Sequence, residues 1–298
     1  MRIIRLTVLL VFVVGGSACW MSDVDAESAL GYDLDSPDKR HVLPAELHEI
    51  SGLIYTGEGI LTCIQDEQGV LFHYDPQTAQ VRAQETFGEA GDYEGIARVG
   101  DTTYVLRSDG NLFEIQDSES ATPDVRFLET GVPGKDNEGL CHDAANNRLL
   151  IGTKGNPGLG SESKDLRVVH AFDLASKTLK AEPAFVFDLA EIQRMAEERG
   201  LELNPKTSKK GKVTIPKIKL RTSAISVHPV TGKLYMLSAD DHLLCVIDPS
   251  GRVDHIEVLD PVLFNKAEGI TFDAEGKLYV SNEGEDKQPT VLEFSYLQ

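Results

Sequence analysis

The sequence predicts an all-β protein folded as a β-propeller with five visible repeat units, and two observations support this fold class. A short motif of an acidic residue, glycine and an aliphatic residue recurs along the 298-residue chain. Each copy is followed by short runs of β-branched and aromatic residues that end at Gly, Asp or Asn, which is typical of strands joined by turns. A unit of about 45 residues with three or four strands is typical of a propeller blade.

The copies of this motif predict the number of blades. They begin at Glu49, Glu94, Glu138, Ser223 and Glu268, and serine replaces the acid in the fourth copy. The intervals between them are 45, 44, 85 and 45 residues, so only the third interval differs from the others. Five blades are therefore the main expectation, and a sixth blade hidden in the long interval is the alternative.

Each copy continues with two further strands, and the chain ends after the third strand of the last unit. The second strands are predicted over residues 59–64, 103–106, 148–151, 233–237 and 277–280, and the third strands over residues 70–74, 111–115, 168–172, 243–247 and 290–294. An unpaired sheet edge is a liability that proteins usually cover. We therefore expect an N-terminal strand, near residues 32–34 or 41–43, to complete the last blade.

Residues 188–221 are predicted to form a helical and basic insertion between two units. Asp188 can cap a helix that has apolar residues on one side and ends near Gly200. Residues 204–221 then carry seven Lys or Arg residues and no acidic residue. In so acidic a chain, this basic run can fold over an acidic channel mouth or attract an anionic ligand or lipid head group, with a solvated loop as the alternative.

The N-terminus indicates an exported protein. Residues 1–18 have the order of a signal peptide, with a basic head, an apolar run too short to span a bilayer, and small residues at the end. Cys19 follows directly and resembles a bacterial lipobox cysteine, although Gly16 stands where that motif usually has Leu. We expect lipidation at Cys19, a tether over residues 19–30, and a single propeller domain over residues 31–298 held in the bacterial cell envelope by lipid. Cleavage after Ala18 and release as a soluble secreted or periplasmic protein is the alternative.

The charge balance narrows the range of partners. With 29 Lys and Arg against 48 Asp and Glu, the net charge is −19, which argues against a nucleic-acid partner because such binding needs a basic surface. We expect a monomer whose partner is a small polar ligand or an envelope protein. Cys63, Cys141 and Cys245 lie in apolar runs, so buried free thiols are expected, and one disulfide with a spare thiol is the alternative.

The recurring acids are the first candidate site. The first strand of each propeller blade lines the central channel, so Glu49, Glu94, Glu138 and Glu268 are expected to form a ring there, with Ser223 at the fifth place. Carboxylates this close together repel one another, so their negative charges must be balanced or some of them must be protonated. Three solutions are open: a bound Ca²⁺ held by carboxylate oxygens, backbone N–H groups of the neighbouring blade acting as latches, or proton sharing with raised pKa values.

A second set of polar residues follows the second strands, close to a channel mouth. Mixed charge at this position suits a polar ligand, although Asp and Asn also favour turns on their own. The candidate mouth residues are Asp66, Arg107, Asp109, Lys154, Asp240 and Glu283. The sequence has no Gly-x-Ser-x-Gly elbow, His-Glu-x-x-His motif or phosphate loop.

Several segments together resemble the SdiA-regulated (YjiK-like) family of bacterial proteins. They are residues 43–53 with 65–69, residues 92–96, 136–140 and 223–229, and residues 267–272 with 281–284. The resemblance covers about residues 30–297 and implies a β-propeller, usually exported or membrane-anchored, with a calcium site on the channel. Its members are loosely described as phytase-like.

The main functional interpretation is a non-enzymatic, lipid-anchored propeller that binds a ligand or partner, with calcium at the central channel. A metal-dependent phosphoester or ester hydrolase is one alternative, in which a basic side chain such as Lys154 or Arg107 meets substrate oxygens. A metal-free interaction scaffold is the other.

Overall fold

The computed structural model describes residues 30–297 except 117–122, 159, 161–162 and 208–210. Five antiparallel sheets follow one another along this part of the chain, each with four strands apart from one with five. The predicted signal peptide and Cys19 lie outside the described residues. No helix in the described part is long and apolar enough to cross a membrane.

Each sheet is one blade of the propeller. The chain enters with β1 (Lys39–Val42), which precedes the first blade. The blades are, in chain order, β2 (Ile50–Gly57), β3 (Ile60–Gln65), β4 (Val70–Asp75) and β5 (Gln80–Thr86); β6 (Tyr93–Val99), β7 (Thr102–Arg107), β8 (Leu112–Gln116) and β9 (Asp124–Leu128); β10 (Asn137–Asp143), β11 (Arg148–Thr153), β12 (Leu166–Asp173), β13 (Thr178–Leu179) and β14 (Phe185–Asp188); β17 (Ala224–Val227), β18 (Leu234–Ser238), β19 (Leu243–Ile247) and β20 (Val253–Val258); and β21 (Ala267–Phe272), β22 (Leu278–Asn282) and β23 (Thr290–Phe294).

The first strands of successive blades contact one another in a closed circle, from β2 through β6, β10 and β17 to β21 and back to β2. The five-bladed β-propeller predicted from the repeats is therefore confirmed, and the alternative of a sixth blade is wrong. The residues of the long interval belong partly to the third blade, where β13 and β14 both pair with β12. The rest form the insertion.

The N-terminal segment completes the last blade, as predicted. β1 pairs antiparallel with β23, from Lys39 opposite Glu293 to Val42 opposite Thr290, which covers the edge that the C-terminal strand would otherwise expose. The other suggested segment, near Tyr32, packs into the core instead. The Tyr32 hydroxyl donates to the Gly276 carbonyl at 2.5 Å, and it lies 2.8 Å from Nε2 of His228.

The insertion contains a helix, α1 (Leu189–Glu198), and a short hairpin of β15 (Lys206–Thr207) and β16 (Val213–Thr214). The Asp188 side chain accepts a hydrogen bond from the Ala190 N–H, so the predicted cap is confirmed. The helix buries Ile192 and Ala196 against the apolar core that the third and fourth blades share.

The core lies between the blades, where aliphatic and aromatic side chains from neighbouring sheets pack together. The three cysteines of the described residues are free and buried, which confirms the expectation of buried thiols. Burial raises the pKa of the Cys245 thiol to about 12, and it also raises that of Cys63. Neither is a reactive thiolate near neutral pH.

Candidate ligand site at the channel mouth

Five residues at equivalent positions of the first strands form what we call the inner ring: Ser51, Glu94, Glu138, Ser223 and Glu268. In four blades the strand register shifts at this residue, just before a glycine, so that it bulges out of the ladder. Ser223 occupies the same place in the fourth blade, since Ala224 pairs with Leu237 and the Ser223 N–H donates to the same Leu237 carbonyl.

This register corrects the predicted position of Glu49. The sequence comparison matched Glu49 with Glu94, but Gly52 occupies the place of Gly95 in its blade, and the residue before it is Ser51. Glu49 therefore lies two residues outside the inner ring. Matching the copies on their glycine instead of their acid would have found Ser51.

The two serines of the inner ring act as latches between blades. Ser51 Oγ donates to the Tyr93 carbonyl at 2.6 Å, and Ser223 Oγ donates to the Ala267 carbonyl at 2.7 Å. Each acceptor directly precedes the inner-ring glutamate of the next blade. The latch proposed for the glutamates is thus made by serines in the first and fourth blades.

The inner-ring glutamates share one close cation. Lys154, which follows the second strand of its blade, places Nζ 2.5 Å from Oε1 of Glu138. Glu138 is only 4% exposed, and its Oε2 is buried without a hydrogen-bond partner. Lys266 Nζ lies 3.9 Å from Oε1 of Glu268, but its closer partner is Glu283.

Burial and mutual repulsion raise the pKa values of all three glutamates. Burial is the main cause for Glu94, together with the nearby Glu138 and Asp92, and its pKa rises to about 9. Burial and the charge of Glu138 raise the pKa of Glu268 to about 8. Burial also raises the pKa of Glu138, to about 7, although Lys154 opposes the shift. At neutral pH the ring therefore holds protons as well as the lysine, which agrees with the proton-sharing alternative.

An apolar layer closes the channel beneath the inner ring. It consists of the residues two positions further along each first strand, which line the same axial space as the ring. These residues are Leu53, Ile96, Leu140, Ile225 and Ile270, all buried. Together with the inner-ring carboxyls they line an axial space of about 10 Å³.

A larger cavity of about 230 Å³, here called the mouth cavity, lies at the opening of the channel. Four basic side chains line it. They are Lys154, Lys206, Arg221 and Lys266, and the other lining residues include Ser223, Asp240, His242, Asn265, Glu268 and Glu285. Lys206 and Arg221 come from the two ends of the basic run, so this run does reach the channel mouth.

Contacts within the cavity fix the two residues of the insertion. Lys206 Nζ donates to the Asp240 carbonyl at 2.5 Å, while Arg221 Nη1 lies 3.1 Å from Oδ2 of the same residue. Asp240 therefore holds both basic groups at the cavity edge. Its neighbour Asp241 accepts the backbone N–H groups of Lys219 and Leu220, which anchors the end of the insertion.

The predicted mouth residues separate into three groups. Lys154 and Asp240 line the mouth cavity, and Glu283 reaches its edge through the ion pair with Lys266. Asp66 belongs to an acidic group with Glu49 and Glu283, since burial and then these two charges raise the pKa of Asp66 to about 6.

Arg107 and Asp109 are not brought into the mouth cavity. Arg107 Nη2 pairs with Asp109 at 2.6 Å, and its guanidinium lies over the ring of Phe127, 5.2 Å from the centroid. Phe127 belongs to the outermost strand of the second blade, so the guanidinium is directed outward. Lys206, Arg221 and Lys266 were not among the predicted site residues, although the basic run pointed to the first two.

The residues two positions before the inner ring form what we call the rim, and its two halves carry opposite charges. The residues two positions before the inner ring are Glu49, Asp92, Asp136, Arg221 and Lys266, and four of them accept an equivalent backbone N–H bond from the residue after the second strand. The first three blades thus contribute acids to the rim, whereas the fourth and fifth contribute bases.

The calcium hypothesis finds no preformed site here. Within the described part of the chain, no three His, Cys, Asp or Glu side chains are grouped so that they could hold a metal ion. The Lys154 ammonium already supplies a positive charge at Glu138. Calcium binding remains a prediction that solution experiments can test.

The fold and the site together define a five-bladed β-propeller. Its channel is filled by an apolar layer below the inner ring and leads into a charged mouth cavity above it. Residues 203–285 match the model of the SdiA-regulated family, which confirms over this segment the resemblance drawn from the sequence, and the propeller fold is consistent with that family.

Solved structures are similar at the level of the fold. Glutaminyl cyclase from Myxococcus xanthus superposes with a TM-score of 0.56 at 16% identity, covering 87% of this chain and 95% of the cyclase. A PQQ-bound aldose sugar dehydrogenase from Streptomyces coelicolor gives a TM-score of 0.49 at 14% identity, with 87% and 99% covered. No curated protein sequence matches the chain.

Proposed function

We propose that this protein is an exported, lipid-anchored β-propeller that binds a small polar ligand with an anionic group in the mouth cavity. The observation that carries the proposal is the convergence of four basic side chains on one cavity in a chain of net charge −19. Two of them, Lys206 and Arg221, are supplied by the insertion between blades, and the other two, Lys154 and Lys266, by the blades themselves.

The volume of the mouth cavity favours a small ligand. Sites for drug-sized molecules usually measure roughly 300–1,000 Å³, and this cavity measures about 230 Å³. Because the apolar layer closes the channel below, the ligand enters and leaves through the mouth alone. The ammonium of Lys206, which within the described residues bonds only a backbone carbonyl, is a donor available to it.

Lys206 is the basic residue whose charge is most available to a ligand. Its ammonium bonds a backbone carbonyl, whereas Lys154, Lys266 and Arg221 each pair with a carboxylate. A charge-assisted hydrogen bond to an anionic ligand contributes about 1.5–3 kcal/mol. Replacing Lys206 by glutamine is therefore expected to weaken binding of an anion by about tenfold or more.

Calorimetric titration of the mature protein with succinate and with inorganic phosphate tests the binding proposal. We expect saturable binding that Lys206→Gln and Arg221→Gln weaken. Lys217→Gln is the matched control, because Lys217 is exposed on the same insertion and does not line the cavity. Equal affinity in all three variants, or no binding of either anion, would contradict the proposal. Turnover of a generic phosphoester in the same preparation would instead favour the hydrolase alternative.

The lipid anchor is part of the proposal because a propeller held at the membrane meets ligands in the envelope. The support is the order of residues 1–18 followed by Cys19. Metabolic labelling with a radioactive fatty acid should mark the wild-type protein and not the Cys19→Ser variant. Unlabelled wild-type protein released in soluble form would favour the secreted alternative.

A further inference from the structure

We infer that the ligand of the mouth cavity is a small zwitterion whose ammonium group enters the inner ring while its carboxylate remains among the basic residues of the mouth. This inference rests on the proposed function, and it assigns the axial space as the site for the cationic end. The ligand class is that of amino acids and related short amino-carboxylates.

The first support is an unpartnered acceptor. Oε2 of Glu138 is buried, and no hydrogen bond satisfies it in the structure. A buried polar atom of this kind costs free energy and calls for an explanation. The atom belongs to a side chain that lines the axial space together with Glu94 and Glu268, so a donor placed there would satisfy it.

The second support is a shortage of positive charge. Lys154 is the cation closest to the ring, since Glu138, Glu268 and Glu94 each raise its pKa against the opposing effect of burial, while Lys266 also acts on Glu138 and Glu268. Lys266 is committed first to Glu283 and lies farther from Glu268. Lys154 and shared protons together offset the charge of the three carboxyl groups, and an incoming ammonium would take the place of a shared proton.

The groups around the axial space favour an ammonium over a metal ion. The axial space of about 10 Å³ is close to the volume that one water molecule needs, and an ammonium head group is of similar size. It has three donors and needs only hydrogen-bond acceptors around it. Calcium, by contrast, requires about six to eight oxygens at fixed short distances, and the described residues offer no such group.

The two sites are adjacent. Glu268 lines both the mouth cavity and the axial space, so one molecule can contact the mouth lysines and the inner ring together. The division of the rim fits the same molecule. Its acidic half, with Glu49 and Asp92, attracts the ammonium, and its basic half, with Arg221 and Lys266, attracts the carboxylate.

Matched pairs of probes test the inference. The mature protein is titrated with glycine, 4-aminobutyrate and 6-aminohexanoate, and with acetate, butyrate and hexanoate as the corresponding acids without an amine. We expect at least one amino acid of the series to bind tenfold or more tightly than its matched acid. Glu138→Gln and Glu94→Gln should remove that advantage.

Glu182→Gln is the control, because Glu182 is exposed outside the channel and its replacement changes the net charge by the same amount. Glu94→Gln keeps the test valid if Glu138→Gln folds poorly, since Glu138 is the residue bound to Lys154. Equal binding of amino acids and simple acids would overturn the zwitterion inference and leave the proposed function standing. An amino-acid advantage that survives in Glu138→Gln and Glu94→Gln would also overturn it. If neither series binds, both the inference and the proposed function fail.

Discussion

Glu94→Gln is expected to stabilise the protein at neutral to alkaline pH, although it removes an ionisable side chain from the channel. The pKa of Glu94 is raised from 4.5 to about 9 in the folded protein, mainly by burial. Between these values the folded state holds a proton that the unfolded chain has released. Stability therefore falls as pH rises through this range, by up to about 1.4 kcal/mol per pH unit for one such group.

The magnitude follows from the same values. At pH 7.5 the group lies three pH units above its unfolded pKa, which gives an upper bound of about 4 kcal/mol. The Glu94 side chain is only partly buried and is coupled to neighbouring carboxyl groups. Screening by solvent and this coupling make the real effect smaller than the upper bound. We therefore expect the variant to be about 2 kcal/mol more stable than the wild type at pH 7.5. Glutamine keeps the shape of the side chain and has no proton to lose.

Urea denaturation followed by far-ultraviolet circular dichroism between pH 5 and pH 9 measures the effect. The wild type and Glu94→Gln should be equally stable near pH 5. Above pH 5 their free energies of unfolding should diverge, with the variant the more stable. Glu182→Gln should run parallel to the wild type. If the Glu94→Gln and wild-type curves stay parallel across this range, the proposed protonation of the inner ring is refuted.

Three further changes test the packing, the ion pair and the metal hypothesis. Gly95→Ala should lower stability by about 1–3 kcal/mol, because a Cβ there would lie 2.7 Å from Cβ of Leu140. Gly155→Ala is the control, since a Cβ there would meet nothing within 4 Å, and thermal melts compare the two variants. Lys154→Met should lower the free energy of unfolding by about 3 kcal/mol at pH 8, and by less at pH 5, where Glu138 takes up a proton. Urea titrations of both proteins at the two pH values measure this difference. Chelator should lower the melting temperature and added Ca²⁺ restore it if calcium binds, and no shift with either would remove the calcium prediction.

The recurring Glu-Gly-Ile triplet gains its meaning from the way the blades pack. The glutamate lies at a bulge and faces the channel, and the aliphatic residue two positions later fills the channel floor. The glycine between them lies against the neighbouring first strand. At Gly95, an added Cβ would meet Leu140 and the Glu138 carbonyl oxygen, so glycine is required by close approach and not by an unusual backbone angle.

The sequence by itself predicted the repeating blades, with five as the main expectation and six as the alternative, an N-terminal closing strand at one of two segments, and the helix of the insertion. These features depend on local pattern, because alternation of apolar residues and turn residues recurs in each unit whatever the other units do. The capping aspartate at 188 is likewise a local signal, since its partner lies two residues along the chain.

Only the tertiary structure decided which residues share the channel. Two residues separate Glu49 from Gly52, whereas the other glutamates directly precede their glycines, so Glu49 lies outside the inner ring and Ser51 lies in it. The mouth cavity joins Lys154, Lys206 and Lys266 from distant parts of the sequence, while Arg107 turns outward to an aromatic ring. Repeats specify equivalent backbone positions, but the direction of each long charged side chain depends on the blade beside it, which no local pattern encodes.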